Sequence, residues 1–119
     1  MTKLITDQQR AQLIENGRRQ EPVRGTGQEI DFKPVVKLFT PCGNATWLLT
    51  EIDPENDDNA FGLCDLGMGF PELGNVSLSE LASVQTPFGP AVERDRHFTA
   101  TKALSAYTNE ARQKGEIVA

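Results

Sequence analysis

The chain has 119 residues, of which 38% are hydrophobic and 24% charged, and its formal net charge is -5. This size and balance favour one globular domain over a disordered chain. Because no apolar run approaches the roughly 18 residues that cross a bilayer, and the N-terminus turns polar too soon for a signal peptide, we expect a cytoplasmic protein without membrane contact.

The first element in chain order is a helix. Thr6 is a suitable N-cap, and Gln9 three residues later completes a capping-box pattern. Asn16 and Gly17 are typical of a helix C-terminus. The stretch 18–31 contains two glycines, one proline and few apolar residues, which predicts a flexible connector.

Strands follow, each rich in β-branched, aromatic or aliphatic residues and bounded by turn signals. The predicted strands span 34–40, 45–53, 60–66 and 72–76. A polar acidic loop, 53–59, joins the second and third strands. Since the connections are short, the strands favour an antiparallel meander.

Alternation along the second strand predicts which side chains share a face. One face carries Trp47, Leu49 and Glu51, and the other carries Thr46, Leu48, Thr50 and Ile52. Neither set is cleanly polar, so we expect both faces to be partly covered.

Two more helices are predicted after the strands. Ser77 and Glu80 form a capping-box pattern at the start of a short helix that buries Leu81. The stretch 88–92 is then a loop or an edge strand. A final helix ends at Gly115 and carries one apolar stripe, formed by Leu104, Tyr107 and Ala111.

Together these elements predict an α+β fold. A four- to five-stranded antiparallel meander is flanked by an N-terminal helix, a short middle helix and a C-terminal helix. The single domain 1–119 divides into the N-terminal helix 1–17, the flexible connector 18–31, the sheet core 32–98 with its short helix, and the C-terminal helix 101–115.

The charge is unevenly distributed along the chain. No Lys or Arg occurs from Leu38 to Glu93. That stretch carries nine acidic residues: Glu51, Asp53, Glu55, Asp57, Asp58, Asp65, Glu72, Glu80 and Glu93. A region with one sign of charge produces a focused negative potential, so we expect an acidic binding surface formed by Glu51, Asp53, Glu55, Asp57, Asp58 and Asp65.

The candidate catalytic and metal-binding patterns are weak. His97 is the only histidine, and neither Cys42 nor Cys64 carries a sign of activation; in the cytoplasm both are expected to be free thiols. The acidic loop 53–59 has oxygen ligands at alternate positions, but it lacks the glycine and the final glutamate of an EF-hand. We therefore expect no metal, no cofactor and no catalytic residue.

A small enzyme or ligand-binding domain stays open as an alternative. Its pocket would be lined by Glu51, Asp65, Cys64 and His97, with Trp47 on the same strand as Glu51. Carboxylates held in such a pocket could carry out acid–base chemistry.

Five motifs in this order resemble a family of short bacterial proteins that is catalogued only as a domain of unknown function. The motifs lie at 36–41, 45–54, 61–67, 71–81 and 92–98. The resemblance implies a setting on plasmids, integrative elements and related mobile DNA, and it brings no catalytic residues. Asn75 stands where the family pattern leads us to expect an aromatic residue.

These observations predict a non-catalytic accessory protein of mobile DNA that binds a basic partner through its acidic surface. Direct contact between the sheet and nucleic acid is disfavoured, because phosphate contacts need Lys and Arg. Carboxylates could instead imitate phosphates and occupy the basic groove of a nucleic-acid-handling protein. A third alternative is a homodimer in which an exposed strand pairs with its copy.

Overall fold

A computed structural model describes residues 3–119. Its elements follow this order: helix α1 (Asp7–Gln20), a 3-10 turn (Glu21–Val23), strands β1 (Val36–Phe39), β2 (Thr46–Asp53), β3 (Asn56–Asp65) and β4 (Glu72–Ser77), helix α2 (Leu78–Ser83), strands β5 (Gln85–Thr86), β6 (Gly89–Pro90) and β7 (Glu93–Arg94), and helix α3 (Leu104–Lys114). None of the helices among residues 3–119 has the length and apolar character that a membrane span requires.

The main sheet has five antiparallel strands in the order β4-β3-β2-β1-β7. The α+β class and the antiparallel sheet are therefore confirmed. The first four strands form the predicted meander, whereas β7 returns to the far edge and pairs with β1. The two short strands β5 and β6 make a separate hairpin.

Helix α1 begins at the predicted capping box, with Thr6 and Gln9 bonded reciprocally. The prediction that Asn16 and Gly17 end the helix is wrong, because the helix continues to Gln20. Both residues instead serve the packing of α1 on β2. Asn16 Nδ2 donates to the Thr50 carbonyl at 2.9 Å, and a Cβ on Gly17 would lie 1.9 Å from the Ile52 carbonyl oxygen.

The connector that was predicted to be flexible is tied together at its two ends. Gln20 makes two bonds to Ile30: its Nε2 donates to the Ile30 carbonyl, and its Oε1 accepts from the Ile30 N–H, both at 2.9 Å. These bonds join the end of α1 to the far end of the connector. The intervening chain is therefore closed into a loop rather than left as a linker.

A helix packs on each face of the sheet: α1 on one face, together with Leu78 of α2, and α3 on part of the other. The face under α1, here called the α1 face, contains the larger apolar cluster, with Leu13 of the helix packed among Val36, Leu49 and Ile52. The opposite α3 face has a smaller cluster: Leu48, Leu63, Leu104, Tyr107 and Ala111. The predicted apolar stripe of the last helix is thus confirmed, as is its end at Gly115.

A β-bulge in β2 overturns the predicted alternation. Leu49 pairs with Gly62 while Glu51 pairs with Phe61, which leaves Thr50 as the extra residue. Beyond the bulge each side chain changes face. Ile52 therefore packs with Leu49 on the α1 face, and Glu51 turns toward the α3 face beside Phe61.

Candidate functional site

The turn between β2 and β3 gathers carboxylates at one end of the sheet. Most of the predicted loop 53–59 belongs to strands, since β3 begins at Asn56. Pro54 and Glu55 alone form the turn, and the side chain of Asp53 accepts the Glu55 N–H at 2.9 Å. Glu55 and Asp57 are exposed, and Asp53 is half-buried.

Asp58 joins this turn to α2. Its carboxylate accepts hydrogen bonds from the hydroxyl of Ser77, and from the hydroxyl and backbone N–H of Ser79. These bonds hold the pKa of Asp58 below its usual value of 3.8. Ser77 in turn caps α2 by accepting the Glu80 N–H at 3.2 Å, so the exposed Glu80 lies beside the turn.

We call this group of carboxylates the acid tip: Asp53, Glu55, Asp57, Asp58 and Glu80. One basic side chain reaches it among the described contacts, because Arg10 of α1 donates to the Asp57 carbonyl at 3.0 Å. The acid tip is therefore a surface of negative charge on which the carboxylates outnumber the cation.

Two acidic residues predicted for the surface are buried instead. Glu51 is 4% exposed, with Oε1 3.1 Å from the guanidinium of Arg24 and Oε2 3.4 Å from Gln20. Asp65 is 3% exposed and accepts the N–H groups of Gly67 and Ile117. Both carboxylates are thus committed to internal contacts, and neither belongs to the acidic surface.

The predicted pocket of Glu51, Asp65, Cys64 and His97 is not assembled. Asp65 lines a polar cleft of about 550 Å³ with Lys37 and Asp95. Glu51 lines a different groove, and His97, which is exposed, lines neither.

The remaining residues of that prediction lie on the α1 face. Trp47 is buried there and Cys64 packs against the same cluster. Burial raises the pKa of the Cys64 thiol, which makes it a weaker nucleophile at neutral pH. The structure has no disulfide between Cys42, which is exposed, and Cys64, which is half-buried. Across residues 3–119, no group of three or more His, Cys, Asp or Glu side chains is placed to hold a metal ion.

Strand β4 has a feature that the sequence reasoning missed: it is a free edge next to a groove. The groove, of about 360 Å³, lies between the connector, α3 and the α3 face; its wall includes Phe61, Leu73, Leu104 and Thr108. A second depression, of about 370 Å³, continues past Leu73 to Phe70. Arg112 lines both.

The loop before β4 exposes three large apolar side chains. Leu66 is 62% exposed, Met68 71% and Phe70 80%. The sequence shows that every second residue of this run is apolar, but it does not show that these side chains are exposed. Concentrated apolar exposure of this kind is characteristic of interaction surfaces.

Fold and site together define a small α+β domain whose sheet is covered on both faces and free along one edge. The chain belongs to the family of proteins of unknown function DUF2958, whose model matches residues 4–118. Neither a curated protein nor a solved structure matches the chain.

Proposed function

We propose that this protein is a non-catalytic accessory protein of bacterial mobile DNA that binds a basic protein through the acid tip. The observation that carries the proposal is that the five carboxylates of the acid tip converge at one end of the sheet. Among the described contacts, Arg10 is the basic side chain that reaches them. The mobile-DNA setting is supported by the resemblance of the sequence motifs.

The acid tip has the properties of a recognition surface rather than of a reactive one. Its carboxylates lie on the β2–β3 turn, on the adjoining strand ends and on the first turn of α2. Glu55, Asp57 and Glu80 are exposed, whereas Asp53 and Asp58 are half-buried. Asp58 is tied to Ser77 and Ser79 and so keeps its charge to lower pH. Fixed exposed charges of one sign steer an oppositely charged partner and set its orientation.

The test is retention of partners from a bacterial lysate at about 50 mM and about 500 mM salt, because screening weakens contacts between exposed charges. The bait variant is Glu55→Lys/Asp57→Lys, which leaves Asp58 and its helix contacts intact. The control is Glu93→Gln/Glu116→Gln, which removes two exposed charges elsewhere on the surface.

We expect the wild type and the control to retain a protein with a basic surface at low salt, and the tip variant to lose it. Retention that is equal at both salt concentrations, or equal for the tip variant, would overturn the proposal.

A further inference from the structure

We propose that β4 is a docking strand, and that the partner adds an extended segment along its free edge with basic residues at one end and apolar residues at the other. This inference rests on the proposed function, because it names the form in which a basic partner meets the protein. The occupant is a segment of another protein, not a second copy of this chain.

The first support is the state of the edge itself. Strand β4 pairs with β3 without a register shift from Glu72 to Ser77. No backbone hydrogen bond among residues 3–119 joins its outer side to another segment. Long edges of this kind are usually blunted by a bulge, a proline or an inward-pointing charge. Strand β4 has none of these within its span, and Gly74 at its centre has open space around it.

The opposite edge of the sheet shows what a protected edge looks like in the same molecule. Strand β7 has two residues, Glu93 and Arg94. The guanidinium of Arg94 donates to the carbonyls of Lys3 and Leu4, at 3.2 and 3.0 Å. The N-terminal segment is therefore tied to that two-residue edge strand, whereas β4 remains open for about 20 Å at the usual rise per residue.

The second support is the groove beside β4. In strand addition, the backbone supplies affinity while alternate side chains of the added strand enter pockets. On the α3 side of β4, Leu73 is 43% exposed and forms a common wall of the two depressions described above. Phe61 and Leu104 lie deeper in the groove. An added strand thus finds apolar contacts on the side where α3 leaves the sheet uncovered.

The third support is the contrast between the two ends of β4, which determines the chemistry of the occupant. At the Ser77 end lies the acid tip, since Ser77 is bonded to Asp58. At the Glu72 end lie the exposed apolar side chains of Phe70 and Leu73, which line the second depression. The matching segment spans about six residues, with Lys or Arg over the acid tip and apolar side chains over Phe70 and Leu73.

The same contrast argues against self-pairing. A twofold dimer through β4 would pair the strands antiparallel, so that the Ser77 end of one copy meets the Glu72 end of the other. Each acid tip would then face Glu72 of its neighbour, and like charges held together oppose association. A heterologous basic segment removes that repulsion.

The experiment selects displayed random peptides of roughly twelve residues on the full chain, a length that covers β4 with flanks. The enriched peptides are then synthesised, and amide hydrogen exchange is measured on the chain with each peptide bound. We expect enriched peptides with clustered Lys or Arg at one end and alternating apolar residues at the other. Exchange should slow in β4 at Leu73 and Asn75, whose N–H groups point away from β3, whereas Gly74 and Val76 already face Gly62 and Ala60 of β3.

Two matched variants examine the edge. Leu73→Lys should weaken peptide binding about tenfold, because an apolar contact is lost and a charge enters the groove. Val84→Lys makes a similar change at a site that is 49% exposed and outside both depressions, and it should leave binding within about twofold. Equal effects of the two variants would overturn the proposal.

The remaining outcomes separate this inference from the function that it rests on. If the peptides lose binding to Glu55→Lys/Asp57→Lys but do not slow amide exchange in β4, strand addition is overturned and binding at the acid tip is kept. If the peptides slow amide exchange in β4 but bind Glu55→Lys/Asp57→Lys as tightly as the wild type, strand addition is kept and binding at the acid tip is overturned. Absence of enrichment, or a dimer in light scattering with β4 protected, would overturn the proposed occupant.

Discussion

The two faces of the sheet are covered by helices in different ways. Helix α1 lies close to β2, with a glycine against the Ile52 carbonyl and Asn16 bonded to Thr50. Helix α3 is held by three apolar side chains and covers part of its face, which leaves the groove beside β4. The α1 face is therefore the more closely packed side of the sheet, and the α3 face leaves a groove beside its free edge.

The largest difference between the faces is expected on truncating their central leucines. Leu13 is fully buried on the α1 face, and Leu104 is 7% exposed on the α3 face. Leu13→Ala should lower the free energy of unfolding by about 4 kcal/mol and Leu104→Ala by about 2, the upper part and the lower end of the range for buried leucines. Urea denaturation measures both. Equal losses would contradict the contrast between the faces.

A smaller loss is expected where α1 meets the sheet backbone. Gly17→Ala places a methyl group 1.9 Å from the Ile52 carbonyl oxygen, so the helix must move away from β2. We expect the free energy of unfolding to fall by about 3 kcal/mol, as in other overpacked cores. Gly27→Ala is the control, since a Cβ there meets no atom within 4 Å. If Gly17→Ala leaves the free energy of unfolding unchanged, the close contact between α1 and β2 does not contribute to stability as proposed.

The buried carboxylate on the α3 face allows a test of intermediate size. Arg24→Ala leaves Glu51 without its ion-pair partner, while Gln20 remains. Because Arg24 is itself half-exposed, we expect a loss of about 1–2 kcal/mol rather than the larger cost of a fully buried pair.

Two further variants calibrate that value in thermal and urea unfolding. Adding Glu51→Gln to Arg24→Ala should recover part of the stability, because the unpaired charge is removed. Arg18→Ala removes an exposed guanidinium 3.8 Å from Glu15 and should change stability by less than about 0.5 kcal/mol. If the double variant is no more stable than Arg24→Ala alone, the destabilisation by Arg24→Ala does not come from an unpaired charge on Glu51.

The smallest effect concerns the pH dependence of stability at the acid tip. Hydrogen bonds from Ser77 and Ser79 lower the pKa of Asp58 in the folded state. The contribution of this carboxylate is therefore complete above its unfolded value of 3.8, and it is lost as the pH falls through the lower folded value. We expect Asp58→Asn to destabilise the protein at pH 6 more than it does in strong acid.

Thermal unfolding over that pH range checks the prediction. Ser83→Ala is the control, because Ser83 bonds to the Glu80 carbonyl in the same helix rather than to Asp58. It should keep the shape of the wild-type profile. A constant difference between Asp58→Asn and wild type at every pH would contradict a role for the charge of Asp58.

Local patterns in the sequence were sufficient for the elements. The capping box of α1, the Ser77 N-cap of α2, the β-rich runs and the apolar stripe of α3 depend on interactions within a few residues, so they can be predicted from the local sequence. The reciprocal bond with Glu80 that was predicted for α2 is not present. Prediction from the local sequence also failed at Asn16 and Gly17, which are a common helix stop when considered locally. Their contacts with Thr50 and Ile52 come from a strand more than thirty residues away.

The sequence by itself determined the fold class, the antiparallel pairing of neighbouring strands and the absence of cations from the central stretch. Only the tertiary structure decided which acids face solvent. The bulge at Thr50 places Glu51 on a covered face of the sheet. Asp65 is buried because its carboxylate accepts the N–H groups of Gly67, in the loop after β3, and of Ile117, in the segment after α3. Burial and exposure depend on packing between distant segments, and a one-residue shift in register, which leaves no local mark in the sequence, reverses them.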